Sequence, residues 1–475
     1  MAHSVTDLLH TPGGARVVVG GGAKTGAAAA RLLVRRGAIV TMVDDAAPAK
    51  VSEGLAKHGL DVATITLRAG GIDADVVARA DLVVLSPGVP RAHAALQPAL
   101  AAGVPFVNEI ELAAAALPKS VAVIAVTGTN GKSTTTTMLG AIATAADPGA
   151  FAGGNLGTPY CQAALDVLAG APPPRFAVLE LSSYQLETLR ELTVQSAVVT
   201  NLSPDHLDRY PDAASYYAAK ARVFGLVAPG GGISLNAADA ESRAHLASLC
   251  PGDRARCDFD VPMDLEGIAI TTAGLQVRFG AAQRDVTLTN PRIVGHHNRQ
   301  NAAAAVAGAL LAGIPADAWQ PGLDAYAGIA HRLERIGEAR GVTWYNDSKA
   351  TNVDAAVTGL RSFSRGVHLI AGGLGKGAPY APLVDVARGR VRAVYTIGKD
   401  APAIEAAFAG AAAVISCGTL DVACERAAAA ASSGDVILLS PACASFDQFR
   451  DYAQRGDAFR RCFQRFGAGS GQEVH

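Results

Sequence analysis

Short apolar runs rich in β-branched residues recur along the chain and alternate with longer alanine-rich stretches. The apolar runs are typical of buried parallel strands, and they include RVVVG (16–20), IVTMVD (39–44), VAVIAVTG (121–128) and FAVLELSS (176–183). The alanine-rich stretches favour helix and carry glycine at or near their ends, as in GAAAARLLVRRG (26–37) and NAAAAVAGALLAGI (301–314). The alternation predicts an α/β protein built on mostly parallel sheets with flanking helices.

Breaks in this pattern divide the chain into three blocks. They fall near VPFVNEIELAAAALPKS (104–120) and YAGIAHRLERIG (326–337), and the third block has its own apolar runs. We therefore predict three domains, at residues 1–110, 111–328 and 329–475, in keeping with the usual size of a domain. Residues 231–295 look different, and we expect shorter antiparallel strands there.

Composition and charge narrow the classes of function. The formal net charge is −1 and charged residues make up 17% of the chain, which gives no electrostatic footprint for nucleic acid or an anionic membrane. The first 14 residues do not resemble a signal peptide, and no apolar run reaches the roughly 18 residues that span a bilayer. Seven scattered cysteines without a C-x-x-C pair indicate reduced thiols. We expect a soluble, cytoplasmic monomer whose partners are small molecules, with no nucleic acid and no membrane insertion.

One motif indicates phosphate chemistry. GTNGKST (128–134) follows an apolar strand and precedes a predicted helix. Gly128 and Gly131 let backbone N–H groups curl around phosphate oxygens at the positive end of that helix. Lys132 can reach the β and γ phosphates, and the hydroxyl of Ser133 or Thr134 can ligate Mg²⁺. The bland alternative is a glycine-rich turn, but the position after this strand favours the phosphate site.

Three later residues could complete such a site. Glu180 ends the strand of FAVLELSSYQLE, and His206 follows the next strand in TNLSPDHLDRY. Both should project from the carboxyl ends of parallel strands, where ligands bind in open α/β sheets. Lys220 lies on a predicted helix in SYYAAKARVF. The ordinary alternatives are a solvated carboxylate, a structural histidine and a surface lysine with a buried stem, and spacing alone does not decide between them.

The first block carries a competing signal. VVVGGGAKTG (17–26) followed by VTMVDD (40–45) resembles a dinucleotide-binding fingerprint, with Gly20, Gly22 and Gly26 near a helix start and Asp44 at the end of the second strand. A nicotinamide-dependent dehydrogenase is therefore an alternative from another class. The third glycine comes one residue late for G-x-G-x-x-G, and a single loop of this kind is weak support for a dehydrogenase.

Taken together, the motifs of the chain resemble those of the Mur ligase family. They follow that family's order from about residue 16 to about residue 463: GTNGKST, GGNLGTP (153–159), LELSSYQLE, TNLSPDHLDRYP, AAKARVF, GHHNRQNAAAA (295–305), HRLERI (331–336), YNDSKATNVDA (345–355) and LSPACASFDQFRDYAQRGDAF (439–459). The last two blocks and SPGVP (86–90) resemble the D-glutamate-adding members most closely. The resemblance implies a Rossmann-like first domain, a P-loop ATPase-like second domain and a Rossmann-like third domain.

The resemblance also implies a reaction, the ATP-dependent ligation of D-glutamate to UDP-N-acetylmuramoyl-L-alanine in peptidoglycan precursor synthesis. It passes through an acyl phosphate and a tetrahedral intermediate. Cations must cancel charge as the substrate carboxylate approaches the triphosphate. In the family's pattern, Lys132 and a Mg²⁺ held by Ser133 and Glu180 do so. His206 helps to hold a second Mg²⁺, and Lys220 carries a CO₂-derived carbamate that also ligates Mg²⁺.

Matching positions imply further contacts with each ligand. For ATP they are Gly128, Thr129, Asn130, Gly131, Lys132, Ser133, Thr134, Asn298, Asn301, Arg332 and Asp347. For the UDP substrate they are Lys24 and Thr25 with Asp44 near the uracil, and Ser86 and Asn155 near the diphosphate or sugar. For D-glutamate they are Lys349, Thr351, Lys376, Ser445, Phe446 and Tyr452.

Sibling ligases are nearer alternatives than a dehydrogenase. Members that add a diamino acid carry a D-N-P-R type pocket motif, which this chain lacks, and members that glutamylate folate lack the first domain. Members that add L-alanine or a dipeptide stay open at this point. A non-enzymatic nucleotide switch is a third alternative, but it has no use for a third domain with an amino-acid pocket pattern.

Overall fold

The computed structural model describes residues 5–155, 157–206, 209–280 and 282–467. The chain divides into two compact units. The first runs up to Thr289 and takes in Arg299–Tyr326, and the second consists of Asn290–Asn298 and the chain from Ala327 onward. The two units contain different sheets and are described separately.

The first sheet of the first unit has five parallel strands in the order β3-β2-β1-β4-β5. The strands are β1 (Arg16–Gly20), β2 (Ile39–Asp44), β3 (Thr66–Ala69), β4 (Leu82–Leu85) and β5 (Phe106–Asn108). The helices of this region are α1 (Val5–His10), α2 (Lys24–Arg35), α3 (Pro48–Lys57), α4 (Ala74–Ala78), α5 (Gln97–Ala101) and α6 (Glu109–Ala116). Strand order reverses direction between β1 and β4, which is where open sheets of this kind bind ligands.

The second sheet of the first unit has six parallel strands in the order β11-β10-β9-β6-β8-β7. The strands are β6 (Ala122–Thr127), β7 (Phe151–Gly154), β8 (Phe176–Glu180), β9 (Val194–Val199), β10 (Val227–Leu235) and β11 (Ala255–Arg256). The helices are α7 (Lys132–Ala146), α8 (Tyr160–Leu168), α9 (Ser183–Leu186), α10 (Ala213–Ala221), α11 (Ala240–His245), α12 (His296–Leu311), which belongs to this unit from Arg299 onward, and α13 (Trp319–Asp324). Because β6, β8 and β9 are parallel neighbours, their carboxyl ends meet at one edge.

A small antiparallel sheet completes the first unit. It consists of β12 (Gly267–Ile270), β13 (Gly274–Phe279) and β14 (Ala282–Thr287). The expectation of antiparallel strands is therefore confirmed for these residues. It is wrong for the earlier part of 231–295, because β10 and β11 extend the parallel sheet there.

The second unit is built on one six-stranded sheet in the order β15-β16-β20-β17-β18-β19. The strands are β15 (Glu334–Ala339), β16 (Val342–Asn346), β17 (Val367–Gly372), β18 (Val391–Ile397), β19 (Ala413–Gly418) and β20 (Val436–Leu439). The helices are α14 (Val353–Leu360), α15 (Ala381–Ala387), α16 (Ala401–Phe408), α17 (Leu420–Ala430) and α18 (Tyr452–Gly467). Only β15, at one edge, pairs antiparallel.

The predicted fold class is confirmed, since mostly parallel sheets with helices around them make up the chain. The division of the first unit into two domains near residue 110 stays a prediction. All seven cysteines are free thiols. Within the described ranges, no helix has the length and apolar character to cross a membrane.

Candidate active site

The phosphate loop has a backbone that favours glycine at two positions. Gly128 and Gly131 have φ angles of 134° and 82°, values that residues with a Cβ atom rarely adopt. A Cβ atom at Gly128 would lie 2.1 Å from the hydroxyl oxygen of Thr200, and one at Gly131 would lie 2.3 Å from Asn301 Oδ1. Both the torsion angles and the space therefore require these glycines.

The loop leads directly into the amino terminus of α7. Gly131 is the N-cap residue, and no described side chain caps this 15-residue helix. Its first N–H groups and the positive end of its dipole are thus available to an anion. Lys132 Nζ donates to the carbonyl oxygens of Gly128 (3.0 Å) and Thr129 (2.8 Å). Ser133 and Thr134 are buried in the first turn.

Thr129 and Asn130 tie the loop to the segment that follows β9. Thr129 Oγ1 accepts a hydrogen bond from Ser203 N (3.0 Å), and Asn130 N donates to Asn201 Oδ1 (2.9 Å). The same segment continues to His206. The phosphate loop and the histidine are therefore supported by one stretch of chain.

Glu180, the last residue of β8, is 2% exposed. Its Oε1 accepts a hydrogen bond from Asn155 Nδ2 (2.9 Å), whereas its Oε2 has no hydrogen-bond partner among the described residues. A buried carboxylate oxygen without a partner is costly, and hard divalent cations such as Mg²⁺ bind through oxygen ligands. Glu180 therefore fits the role of a Mg²⁺ ligand.

His206 has a left-handed backbone, with φ 55°, and a side chain that is 43% exposed. Its Nδ1 is hydrogen-bonded to the hydroxyl of Tyr184 (2.8 Å), and its Nε2 lies 3.5 Å from Asp205 Oδ2. Sequence reasoning missed Tyr184, although it stands in the LELSSYQLE motif. The sequence around Tyr184 does not indicate that it contacts His206, which lies 22 positions further along the chain.

Lys220 is 1% exposed, so the alternative of a surface lysine is wrong. Its Nζ donates to the carbonyl oxygen of Gly128 (2.7 Å) and lies 4.5 Å from the centre of the Tyr216 ring. Burial, and after it the neighbouring charge of Lys132, lowers the pKa of Lys220 to about 6. At neutral pH most of this side chain is therefore an uncharged amine.

The four residues predicted to be catalytic thus gather at one edge of the second sheet: Lys132, Glu180, His206 and Lys220. Lys132 and Lys220 donate to the same carbonyl oxygen, the charge of Glu180 acts on Lys220, and the His206 ring lies 5.8 Å from the Tyr216 ring. Across the described chain, no group of three or more His, Cys, Asp and Glu side chains could hold a metal ion. A cation here would need ligands from the substrates as well.

The two asparagines predicted to contact ATP fall in different units. Asn301 belongs to the first unit, where its Oδ1 accepts a hydrogen bond from the Thr135 hydroxyl (3.3 Å) beside the phosphate loop. Asn298 belongs to the second unit, and its Nδ2 donates to the carbonyl oxygen of Val294 (2.9 Å). Contacts of either residue with a nucleotide stay predictions.

Asp44 and Ser86, predicted for the UDP substrate, shape the loop at the end of β1. Asp44 Oδ2 accepts from Gly22 N (2.7 Å), and the Ser86 hydroxyl donates to the carbonyl oxygen of Gly21 (3.2 Å). Gly21 has φ 93°. Both side chains contact the loop that follows β1, next to the point where strand order reverses, in agreement with a ligand site at that edge.

The other residues predicted for the UDP substrate lie nearer the second sheet or the start of α2. Lys24 Nζ donates to the carbonyl oxygen of Gly157 (2.6 Å), and Thr25 is half-buried next to it. Asn155 holds the Glu180 carboxylate, as described above. The structure therefore places Asn155 beside the candidate Mg²⁺ ligand Glu180, a contact that the sequence did not indicate.

In the second unit, the turn around Arg332 has an unusual backbone. His331 and Leu333, which flank it, have φ angles of 63° and 43°, and such strain in non-glycine residues concentrates at functional sites. Asp347 supports the turn, since its Oδ1 accepts from Leu333 N (3.1 Å) and its Oδ2 accepts from the Ser440 hydroxyl (2.8 Å). Burial raises the pKa of Asp347 to about 7.

The residues predicted for D-glutamate lie on three loops and at the start of α18. The loops follow β16, β17 and β20, and they carry Lys349 and Thr351, then Lys376, then Ser445 and Phe446. Tyr452 begins α18. Phe446 is 70% exposed and Lys376 is also exposed, while Ser445 is buried. The exposed side chains of Phe446 and Lys376 are therefore accessible to a ligand.

Arg455 on α18 connects the three loops. Its side chain is 1% exposed, and its guanidinium donates to the Ser348 hydroxyl (3.0 Å) and to the carbonyl oxygens of Ser348 (2.9 Å), Cys443 (3.0 Å), Ala444 (3.4 Å) and Gly372 (3.5 Å). All these acceptors are neutral. Sequence reasoning missed this residue, although its spacing from the buried Phe459 and Cys462 is helical and places an arginine on an apolar face.

Three family models match the chain, in the order of the sheets. Residues 15–108 match the Mur ligase MurD-like N-terminal domain, residues 126–309 match the Mur ligase middle domain, and residues 331–443 match the Mur ligase glutamate ligase domain. Together the matches cover most of the chain and include the phosphate loop.

Curated relatives are similar over nearly their whole length. Proteins named UDP-N-acetylmuramoylalanine–D-glutamate ligase from Anaeromyxobacter dehalogenans and Myxococcus xanthus are 48% and 46% identical to this chain. Each alignment covers 94% of this chain, with 97% and 98% of the two relatives.

Solved structures show the same fold at low identity. The UDP-N-acetylmuramate-alanine ligase MurC from Thermotoga maritima is 17% identical with a TM-score of 0.58, over 95% of this chain and 99% of that one. MurF from Acinetobacter baumannii is 19% identical with a TM-score of 0.57, over 83% and 93%. With the domain matches and the full-length relatives, these likenesses show that the chain belongs to the Mur ligase family.

Proposed function

We propose that this protein joins D-glutamate to UDP-N-acetylmuramoyl-L-alanine in an ATP-dependent ligation that serves peptidoglycan precursor synthesis. The observation that carries the proposal is the cluster at the phosphate loop. It consists of a helix terminus that no described side chain caps, a buried Glu180 carboxylate oxygen without a partner among the described residues, and a buried, largely uncharged Lys220. The names of the relatives with up to 48% identity support D-glutamate as the amino acid.

The chain's own residues provide for phosphate transfer to a carboxylate. The first N–H groups of α7 bind phosphate oxygens, and Lys132, which now donates to the carbonyl oxygens of its own loop, turns to the β and γ phosphates. Ser133 and Glu180 would hold a Mg²⁺ ion, which supplies positive charge that offsets the repulsion between the two anions. Asn155 keeps the Glu180 carboxylate in place.

We propose that Lys220 reacts with CO₂. Its uncharged nitrogen forms a bond to the carbon of CO₂, one proton leaves the nitrogen for solvent, and the product is a carbamate with a negative charge. A protonated lysine cannot ligate a cation, whereas a carbamate offers oxygen atoms to a second Mg²⁺ together with His206. The burial that keeps the amine uncharged supports this step.

The remaining predicted contacts form part of the same proposal. Asn298, Asn301, Arg332 and Asp347 are each proposed to contact ATP, and the loops held by Arg455 are proposed to receive D-glutamate. Residues 1–110, 111–328 and 329–475 would act as the UDP-substrate, ATP and amino-acid domains. We place the reaction in the cytoplasm, where ATP and nucleotide sugars are made, and we expect a monomer.

The test is phosphate release from ATP and Mg²⁺ by the purified protein with UDP-N-acetylmuramoyl-L-alanine and either D-glutamate, L-glutamate or no amino acid. Mass spectrometry identifies the product. Phosphate release that needs D-glutamate and yields the dipeptide nucleotide is the expected result. Turnover only with another amino acid would move the function to a sibling ligase, and reduction of a nicotinamide cofactor instead would favour the dehydrogenase.

A further inference from the structure

The side chain of Tyr184 joins the amino end of α9 to the metal-site histidine. Its hydroxyl is 2.8 Å from His206 Nδ1, and the two rings meet edge to face with centres 5.1 Å apart. Helix α9 is fixed by a capping box in which Ser182 and Gln185 satisfy each other's backbone N–H groups. The hydroxyl therefore extends from an anchored turn to a histidine on a loop.

A second set of contacts holds the tyrosine ring itself. The Arg209 guanidinium lies 3.7 Å from the ring centre, a cation–π distance, and pairs with Glu187 at 2.9 Å. The Tyr210 ring stacks at 6.2 Å, and its hydroxyl donates to the same glutamate. These contacts depend on the ring, so removing only the hydroxyl of Tyr184 leaves them in place.

We propose that Tyr184 is the positioning residue for His206, with its hydroxyl engaging Nδ1 so that Nε2, which lies 3.5 Å from Asp205 Oδ2, is the ring nitrogen that turns to a cation. The inference rests on the proposed function, in which His206 helps to hold a Mg²⁺ ion. It concerns a different group, since Tyr184 itself touches neither substrate nor metal in this role.

The chemistry of a histidine ligand explains why such a partner is needed. An imidazole that binds a cation through one nitrogen carries its proton on the other, and that N–H group is normally held by an acceptor that fixes the ring orientation. A tyrosine hydroxyl can accept from Nδ1–H and can also donate to an unprotonated Nδ1. It therefore serves the histidine both with and without a bound cation, and it adds a hydrogen bond at Nδ1 that neither the Asp205 carboxylate nor the Tyr216 ring supplies.

The test compares Tyr184→Phe with wild type and with Tyr217→Phe as a matched control. Tyr217 belongs to the same aromatic cluster, with its ring 5.9 Å from that of Tyr216, but its hydroxyl is not hydrogen-bonded to His206. The first readout is ¹⁵N NMR of histidine-labelled protein without metal, in which the His206 signals are assigned by their loss in His206→Gln. The second is Mn²⁺ affinity, measured by electron paramagnetic resonance in the presence of ADP.

We expect Tyr184→Phe to move the two His206 nitrogen shifts and to weaken Mn²⁺ binding about 10-fold, the size of effect seen when the outer partner of a metal ligand is removed. The KM for Mg²⁺ should rise in parallel while the KM for D-glutamate stays unchanged, and Tyr217→Phe should match wild type in every readout. His206 shifts and Mn²⁺ affinity equal to wild type in Tyr184→Phe would overturn the inference. Absence of D-glutamate ligation by wild type would instead overturn the proposed function, because neither spectroscopic readout requires turnover.

Discussion

Replacing Arg455 with methionine should destabilise the second unit and impair D-glutamate binding together. Methionine fills much of the same space but offers no donor, so the carbonyl oxygens of Ser348 and Cys443 and the Ser348 hydroxyl lose partners at 2.9–3.0 Å. A hydrogen bond to a charged group contributes about 1.5–3 kcal/mol. Burial disfavours the charged form of Arg455 and lowers its pKa to about 10. Removing this buried charge therefore offsets part of the stability that is lost with the hydrogen bonds.

Counting only these three short contacts at the lower value and subtracting about 1–2 kcal/mol for the relieved burial gives a net loss of about 3 kcal/mol. That loss is a large fraction of the roughly 5–15 kcal/mol that stabilises a typical domain. With a urea dependence of about 2 kcal/mol per molar, the midpoint of unfolding should fall by about 1.5 M.

The assay uses the fluorescence of Trp344, which packs against Phe459 and Phe466 of the same helix as Arg455. The chain has two tryptophans, so a Trp319→Phe background leaves Trp344 as the reporter for the second unit. Initial rates give the KM for D-glutamate, which should rise at least about 10-fold, since misplacing substrate-holding groups by a fraction of an ångström is enough to cost this much. The KM for ATP should stay within about two-fold.

Two further variants separate the possible causes. Arg455→Lys keeps the charge but loses the planar fork of donors, so it should recover part of the D-glutamate affinity and little of the stability. Arg465→Met, on the exposed side of the same helix, should behave as wild type. An unfolding midpoint and a D-glutamate KM unchanged in Arg455→Met would refute the view that this residue holds the three loops.

Three other predictions concern buried ionisable groups. Glu180→Gln should lower kcat for phosphate release by about 100-fold or more, with ATP-analogue affinity changed little in a calorimetric titration; an unchanged rate would exclude the carboxylate from the metal site. Removing CO₂ from the buffer should lower activity, and added bicarbonate should restore it. The loss of activity should be larger below about pH 6, because Lys220 is then protonated. Labelling with ¹³CO₂ should give a carbamate signal in wild type that is absent in Lys220→Met. Burial raises the pKa of Glu109 to about 7, so the folded state binds this proton more tightly than the unfolded chain does. The stability of the first unit should therefore fall as the pH rises from about 4.5 to 7. Glu109→Gln should flatten this pH dependence in urea unfolding, and an equal slope in both proteins would show that the carboxyl does not titrate in this range.

The layout of strands and the phosphate loop could be predicted from the sequence because their signals are local. A β-branched run that ends in Gly128, followed by Gly131 and Lys132, encodes both the turn and the helix start within a few residues. The same holds for Glu180 at its strand end, since parallel neighbours bring their carboxyl ends to one edge. These features need only periodicity and the special conformations of glycine.

The supporting contacts could not be predicted because they join distant parts of the chain. Arg455 reaches Ser348, 107 positions away, and no composition or spacing indicates which carbonyl oxygens it will meet. The burial of Lys220 was equally hidden, because an alanine-rich helix leaves open which face is covered. The contact between Tyr184 and His206 depends on how α9 and the loop after β9 pack, which only the folded chain defines.

The attachment of Arg455 to the main chain has a consequence for changing the amino acid that this enzyme accepts. Four of its five hydrogen bonds end on carbonyl oxygens, which every residue type supplies. Side chains at the loop tips, such as Thr351, Lys376 and Phe446, can therefore be randomised together while the anchor beneath them persists. Since these tips are the positions proposed to contact the amino acid, a combinatorial library at the three of them is a practical route to ligases for other amino acids.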